Sequence, residues 1–113
     1  MKSDSRLKAK IWVQAAIRAC QSMGATATLV RRGDEDAGAV LIKQNLMGAG
    51  FVVLTQMRAA DGQPAWMKGT GPEPVEEAAA DAYIARQIDR DYDLWVIEIE
   101  DRAGRLPFPA QIL

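Results

Sequence analysis

The sequence contains no histidine and only one cysteine, Cys20, among its 113 residues. The absence of histidine excludes a serine–histidine–aspartate triad, a cysteine–histidine pair, a histidine general base and every histidine-ligated metal site within this chain. A single cysteine excludes an intramolecular disulfide, and also a zinc ribbon or an iron–sulfur cluster held by this chain alone. No residue pattern indicates any other cofactor. These absences favour a non-enzymatic protein in a reducing compartment.

Long apolar runs are also absent, and no stretch of the chain approaches the roughly 20 apolar residues that a membrane-spanning helix needs. The charged N-terminal segment 1–10 lacks the apolar middle of a signal peptide. We therefore predict a cytoplasmic protein with no membrane partner. A chain of this length fits a single domain, 1–113, with a core over about residues 6–105.

Charge is unevenly distributed along the chain, although the formal net charge is −1. Residues 1–72 carry ten Lys and Arg against five Asp and Glu, whereas residues 73–113 carry four against ten. The two halves can compensate each other by packing together, or the first half can offer a basic face to an acidic partner. A nucleic acid could be contacted by five basic residues near the N-terminus, namely Lys2, Arg6, Lys8, Lys10 and Arg18. The acidic second half argues against nucleic acid as a partner.

Hydrophobic periodicity predicts an α+β fold with an N-terminal helix, an antiparallel β-meander of three to four strands, a second helix and a C-terminal strand. The first helix is predicted over residues 7–23, where Asp4 or Ser5 can cap it. The second helix is predicted over residues 74–89, with Pro74 at its first helical position. The predicted strands cover residues 25–32, 39–46, 51–59, 65–68 and 94–101.

Short turns between the first strands predict that consecutive strands are antiparallel neighbours. Such a meander leaves exposed strand edges, which proteins tend to cover or to pair with another chain. The proline-broken tail, 106–113, adds Phe108, Ile112 and Leu113 as apolar surface that favours burial. We therefore predict a homodimer to which the tail contributes.

Two groups of carboxylates could support metal-dependent chemistry. Asp34, Glu35 and Asp36 are adjacent in a turn and could bind a hard cation such as Mg²⁺ or Ca²⁺, although they lack the spacing of a calcium loop. Glu98 and Glu100 point to the same side of the last predicted strand, roughly 7 Å apart by strand rise. Acids in such positions are usually solvated, so we predict no metal and no catalytic residue at either group.

A restriction-nuclease-like metal site would need an acidic residue two positions before a lysine. The nearest match in this chain has Leu41 two positions before Lys43, so leucine stands where the acid is required. The pattern therefore lacks one metal ligand.

Polar and aromatic residues gather at two places where core packing gives no reason for them. They are Arg31, Arg32 and Asp34 at the first turn, and Trp66, Lys68 and Thr70 before the second helix. Basic and aromatic side chains together can stack on and neutralise a ligand. We predict these six residues as ligand-binding candidates, for a ligand that the sequence does not identify.

Six segments of the chain form a recognisable set. They are LKAKIWV at 7–13, VRRGD at 30–34, DAGAVLIK at 36–43, WM at 66–67 with TGP at 70–72, DAYIARQ at 81–87 and DLWVIEIEDR at 93–102. As a set they resemble a bacterial family, found mainly in alphaproteobacteria, that is catalogued as domain of unknown function 1491. The resemblance implies a soluble, stand-alone bacterial protein, and it assigns neither an activity nor functional residues.

The leading functional prediction is a small binding or interaction protein, without enzymatic activity, that forms a homodimer. One alternative is a small metal-dependent hydrolase that uses the clustered carboxylates. The other alternative is a weak nucleic-acid binder that uses the basic N-terminal segment.

Overall fold

The chain folds into two helices and five strands over the residues that the structure, a computed structural model, describes: 8–62 and 64–113. In chain order the elements are α1 (Ala9–Ser22), β1 (Thr26–Arg31), β2 (Val40–Asn45), β3 (Phe51–Arg58), β4 (Pro64–Lys68), α2 (Glu77–Arg90) and β5 (Trp95–Glu100). The predicted α+β class and the predicted order of elements are therefore confirmed. The caps predicted for the first helix, Asp4 and Ser5, lie outside the described residues, as do the basic residues Lys2 and Arg6.

The sheet has the strand order β1-β5-β2-β3-β4, with the last strand of the chain at an inner position. β2, β3 and β4 form the predicted antiparallel meander. β1 and β2 are not neighbours, because β5 lies between them, antiparallel to β1 and parallel to β2. The reason lies in β5 itself, where Trp95, Val96 and Ile97 are each at most 2% exposed. A strand that is apolar on both faces is stable only where neighbours and helices cover it.

The two helices pack on opposite faces of the sheet. One face buries α1 residues such as Val13 and Cys20 together with Ile42 of β2. The other face buries α2 residues such as Ile84 together with Leu41, the neighbour of Ile42 in sequence. Successive side chains of a strand point to opposite faces, so the two clusters are separate cores on either side of the sheet. Among the described residues, neither helix has the length and hydropathy that crossing a membrane requires.

The start of α1 is held by the turn between β1 and β2. Lys8 stands at the N-cap position and makes no side-chain capping hydrogen bond. Instead, the amides of Ala9 and Lys10 donate to the carbonyl oxygens of Asp36 and Glu35, at 3.4 and 3.0 Å. These bonds satisfy helix amides that have no partner within the helix, so the acidic turn fixes where α1 begins.

The second helix begins at Glu77, three residues later than Pro74, so the prediction for Pro74 is wrong. The reason is the following residue, Val75, which exchanges two 2.8 Å backbone hydrogen bonds with Phe51. This bridge holds residue 75 alongside the start of β3, and the helix follows once the chain has left the sheet.

The C-terminal tail pairs with β4 of its own chain. The amide of Trp66 donates to the carbonyl of Gln111, and the amide of Leu113 donates to the carbonyl of Trp66, both at 2.8 Å. The ring of Phe108 lies 5.2 Å from Trp12 and 5.6 Å from Trp66, measured between ring centroids. The tail therefore covers the β4 edge, and β1 is the sheet edge that no described residue pairs with.

Candidate functional site

The six predicted ligand-binding residues lie at opposite edges of the sheet. They are Arg31, Arg32 and Asp34 at the end of β1 and just after it, and Trp66, Lys68 and Thr70 in β4 and just after it. Three strands, β5, β2 and β3, separate β1 from β4. The structure does not bring the two groups together, and a ligand-binding role stays a prediction for each group by itself.

The two arginines of the first group tie the turn after β1 to the segment that enters β5. Arg31 donates through Nη1 to the carbonyl oxygens of Tyr92 and Leu94, at 2.9 and 2.7 Å. The guanidinium carbon of Arg32 lies 5.6 Å from the ring centroid of Trp95. Both arginines therefore have a packing role that sequence patterns did not reveal.

The carboxylate of Asp34 closes the same turn. Its Oδ2 accepts from the amides of Asp36 and Ala37, at 3.1 and 2.9 Å, and its carbonyl oxygen accepts from the indole Nε1 of Trp95 at 2.7 Å. A Cβ atom on Gly38 would overlap the carbonyl oxygen of Asp93 and approach the Trp95 ring to 2.9 Å. The turn is thus packed tightly on Trp95. Within residues 8–62 and 64–113, no group of three or more His, Cys, Asp or Glu side chains is arranged to hold a metal ion.

The second group is divided between the core and the surface. Trp66 is only 3% exposed, and its ring lies 5.9 Å from that of Trp12. The hydroxyl of Thr70 accepts from the amide of Val53 at 3.2 Å. Lys68 is exposed on β4. Trp66 and Thr70 therefore stabilise the fold.

A charge network that sequence reasoning missed lies between β2, β5 and α2. Lys43 is 6% exposed, and its Nζ lies 2.8 Å from Glu77 Oε2, 2.8 Å from Asp81 Oδ1 and 3.8 Å from Glu98 Oε1. The ring of Phe51 lies 5.1 Å from the same Nζ. One ammonium group is thus surrounded by three carboxylates. Glu98, expected to be solvated, is held in this network and its side chain is only 20% exposed.

The protonation state of Lys43 follows from these neighbours. Burial alone would lower its pKa, but the hydrogen bonds to Asp81 and Glu77 and the charge of Glu98 raise the pKa above its ordinary value. An amine acts as a nucleophile or a base only when it is deprotonated, so the network disfavours both roles for Lys43. The ammonium also occupies the space between the carboxylates that a cation would need.

A cleft of about 670 Å³ opens where α1, β3, β4 and the tail meet. Its floor contains the rings of Trp12, Trp66 and Phe108, whose centroids are 5.2 to 5.9 Å apart. Charged residues line its rim, namely Lys8, Asp36 and Arg58. We call this the aromatic cleft. Its three rings are distant in the sequence, so no local pattern could have predicted it.

The outer edge of β1 is the second surface that stands out. Residues 26–30 carry no charge, and Leu29 and Val30 are 43% and 52% exposed. The register between β1 and β5 shifts between Leu29 and Arg31, which leaves Val30 as an irregularity in the strand. The stretch from Thr26 to Leu29 therefore offers a short, regular and uncharged edge.

The comparisons with known proteins agree on one family. The model of a family described as "Protein of unknown function (DUF1491)" matches residues 7–109. A crystal structure of a DUF1491 family protein from Caulobacter crescentus CB15 is 37% identical, covers 96% of this chain and 100% of that chain, and has a TM-score of 0.84. An NMR structure of a DUF1491 family protein from the same organism is 37% identical, covers 95% of this chain and 96% of that chain, and has a TM-score of 0.80.

A third solved structure shares the fold at lower identity. The solution structure of protein Atu0922 from A. tumefaciens is 25% identical, covers 94% of this chain and 97% of that chain, and has a TM-score of 0.74. A comparison with curated proteins finds no match.

Proposed function

Because the chain belongs to the DUF1491 family, whose description assigns no activity, we propose from its geometry a non-enzymatic interaction protein that self-associates through β1. The observation that supports this is the contrast between the two sheet edges. The tail covers β4, whereas β1 presents backbone N–H and C=O groups with no strand partner among the described residues. An unpaired edge is a template for pairing with another strand, and the proposed occupant is β1 of a second copy.

The composition of β1 favours pairing. Edge strands that stay single usually carry a lysine, a proline, an inward-pointing charge or a β-bulge, and residues 26–29 have none of these, since the irregularity of β1 lies at Val30. The exposed side chains of Leu29 and Val30 supply apolar area for a contact. Two copies related by a twofold axis would pair antiparallel and join their five-stranded sheets into one.

Charge complementarity favours a second copy as the occupant. Arg31 lies opposite Val96, and Thr26 lies opposite Glu100. Val96 and Glu100 are four residues apart on β5, so the side chains of Arg31 and Glu100 project from the same face of the sheet. Arg31 lies at one end of β1, and Glu100 lies on β5 beside the other end of β1. Among the described residues, Arg31 donates only to carbonyl oxygens, and none forms an ion pair with Glu100 within 4 Å. Antiparallel pairing would bring the Arg31 end of each copy beside the Glu100 end of the other.

Three features support the absence of catalysis in this proposal. Lys43 engages Glu77, Asp81 and Glu98, and the Asp34 carboxylate closes a turn, so each group of acids has at least one member held by the fold. Burial raises the pKa of the Cys20 thiol, and the charge of Asp101 raises it further, so the thiolate nucleophile is suppressed. A free thiol also fits the reducing cytoplasm that we propose as the location.

The test is sedimentation velocity at about 10 and about 200 μM protein, concentrations that bracket weak association. We expect the wild type to sediment as twice its 12.3 kDa mass at the higher concentration. Leu29→Lys adds a positive charge close to the twofold axis in each copy, where the two like charges repel, and should leave a monomer. The matched control is Ile11→Lys on α1, whose side chain is 48% exposed, and it should remain dimeric.

Two results would contradict the proposal. One is a wild type that stays monomeric at both concentrations. The other is a Leu29→Lys variant that dimerises as strongly as Ile11→Lys, which would place the interface elsewhere.

A further inference from the structure

The geometry points to a ligand site in the aromatic cleft, for a flat apolar ring system that carries one carboxylate. This inference is independent of the β1 interface, because the aromatic cleft is lined by α1, residues 36–40, β3, β4 and the tail, and no residue of β1 is part of its lining. It also differs from the six predicted ligand residues, of which only Trp66 lines the cleft.

The shape of the aromatic cleft suits a small ring system. Its volume of about 670 Å³ falls within the range of roughly 300 to 1,000 Å³ that is typical of small-molecule sites. Trp66 is fixed by two backbone hydrogen bonds to the tail, while Trp12 and Phe108 are only half-buried and present ring surface to the cleft. The ring planes are tilted by 31 to 59° to one another, an arrangement that accepts a further ring by stacking or edge contact.

The charged residues at the rim of the aromatic cleft favour a ligand with a negative charge. Lys8 and Asp36 form an ion pair with each other at 3.5 Å. Arg58 donates to the carbonyl of Gly62 at 2.9 Å, and no described carboxylate lies within 4 Å of its guanidinium. The rim therefore places the guanidinium of Arg58 beside an apolar floor. A guanidinium is the preferred planar partner of a carboxylate, which it can bind through two parallel hydrogen bonds.

A further donor lies on the wall of the cleft. The Oε1 atom of Gln56 accepts from the amide of Val40 at 3.0 Å, and no described residue accepts a hydrogen bond from its Nε2. The Gln56 Nε2 and the Arg58 guanidinium belong to residues two apart on β3, so they share one side of the strand. Two donors on one side and rings on the floor fit a monoanion. A nucleotide, with two or more negative charges, would lack partners for the excess charge.

The test is an NMR titration of the ¹⁵N-labelled chain with 2-naphthoate and, separately, with its neutral analogue 2-naphthylmethanol. We expect 2-naphthoate to shift the indole N–H signals of Trp12 and Trp66 and to saturate with a Kd of about 1 mM or tighter, a modest affinity for a ligand of this size. The alcohol should bind at the same residues about tenfold more weakly, because it lacks the charge-assisted hydrogen bond to Arg58.

Variants distinguish the contribution of the Arg58 charge to binding from the contribution of the aromatic rings. Arg58→Gln should reduce naphthoate affinity about tenfold, to that of the alcohol, and leave the affinity of the alcohol unchanged. Arg86→Gln on the exposed side of α2 is the matched control, and it should change neither affinity. The site would be refuted by titrations that leave both indole signals in place up to the solubility limit. Equal affinity for acid and alcohol, or unchanged naphthoate affinity in Arg58→Gln, would refute the choice of an anion.

Discussion

Lys43 of β2 donates a 2.8 Å hydrogen bond to Asp81 of α2, so a buried side chain of the sheet holds the second helix in place. A second bond of 2.8 Å reaches Glu77 in the first turn of the same helix. The two acids are four residues apart and thus lie on one face of the helix. The docking of α2 therefore depends on a polar contact as well as on the apolar contacts of Ala80 and Ile84.

Replacing Lys43 by Met should lower the free energy of unfolding by about 1–3 kcal/mol, to be measured by urea denaturation. The loss is smaller than for a fully buried ion pair, because Glu77 and Asp81 have side chains that are 55% and 57% exposed and can be hydrated. The control is Lys68→Met on the exposed side of β4, which should change stability by less than about 0.5 kcal/mol.

The Lys43 contribution should also depend on pH. Because the folded-state pKa is raised, the contribution is complete below the ordinary pKa of 10.5 and is lost as the pH rises through the folded-state value. Denaturation of wild type and Lys43→Met between pH 8 and the alkaline limit should show a stability difference that shrinks only at the alkaline end. A stability difference that stays constant up to the alkaline limit would contradict the raised pKa of Lys43 as its cause.

Asp101 should titrate well below the usual range for an aspartate. Its carboxylate accepts from the Arg105 side chain at 2.6 and 3.1 Å and from the Arg105 amide at 2.8 Å. These hydrogen bonds lower the pKa of Asp101 from 3.8 to about 2, with the largest contribution from the Arg105 side chain and the next largest from the Arg105 amide. The contribution of the Asp101–Arg105 contact to the stability of the fold is therefore present above pH 3.8 and is lost as the pH falls toward about 2. A carbon-13 NMR titration measures this, and Arg105→Gln should return the Asp101 pKa toward 3.8.

The tail should stabilise the monomer and leave the β1 interface unaffected. Phe108→Ala removes a half-buried ring from contact with Trp12 and Trp66, and we expect a loss of about 1–3 kcal/mol of unfolding free energy. The sequence-based expectation that the tail contributes to a dimer would require a weaker dimer in this variant. Sedimentation of Phe108→Ala beside the wild type distinguishes the two, since an interface at β1 predicts an unchanged dimer.

Glu100→Gln should weaken the dimer about fivefold, since two symmetric ion pairs at an exposed interface contribute roughly 0.5 kcal/mol each. It should also reduce the dependence of dimer dissociation on salt, because screening acts on the charges that the substitution removes. Glu73→Gln, an exposed acid outside β1 and β5, is the control. Equal salt dependence in the wild type and Glu100→Gln would place Glu100 outside the interface.

The sequence was sufficient to predict the helices and strands and their order, because the alternation of apolar and polar residues and the turn residues determine structure locally. It did not predict the pairing of β1, because a turn such as 32–39 fixes only the distance between two strand ends. A signal for the inner position of β5 existed in the unbroken apolar run of residues 94–97. Such a run is buried on both faces and cannot form an edge.

The Lys43 network also left a signal that pattern reading overlooked. Lys43 follows three consecutive apolar residues in a strand that reads as buried, and a buried charge requires a partner. Glu77 and Asp81, spaced i and i+4 on α2, were available as that partner. The aromatic cleft left no such signal, because Trp12, Trp66 and Phe108 meet only once the sheet and the tail are in place.

The inner position of β5 has a consequence for the order of events during synthesis. The ribosome delivers β1 and β2 early, but the strand that joins them is the last to appear. Until residues 95–100 leave the exit tunnel, the nascent chain holds two strands that lack their common neighbour and expose unpaired edges. The sheet can therefore close only after residues 95–100 have been synthesised, through contacts between distant parts of the chain, and such contacts slow folding.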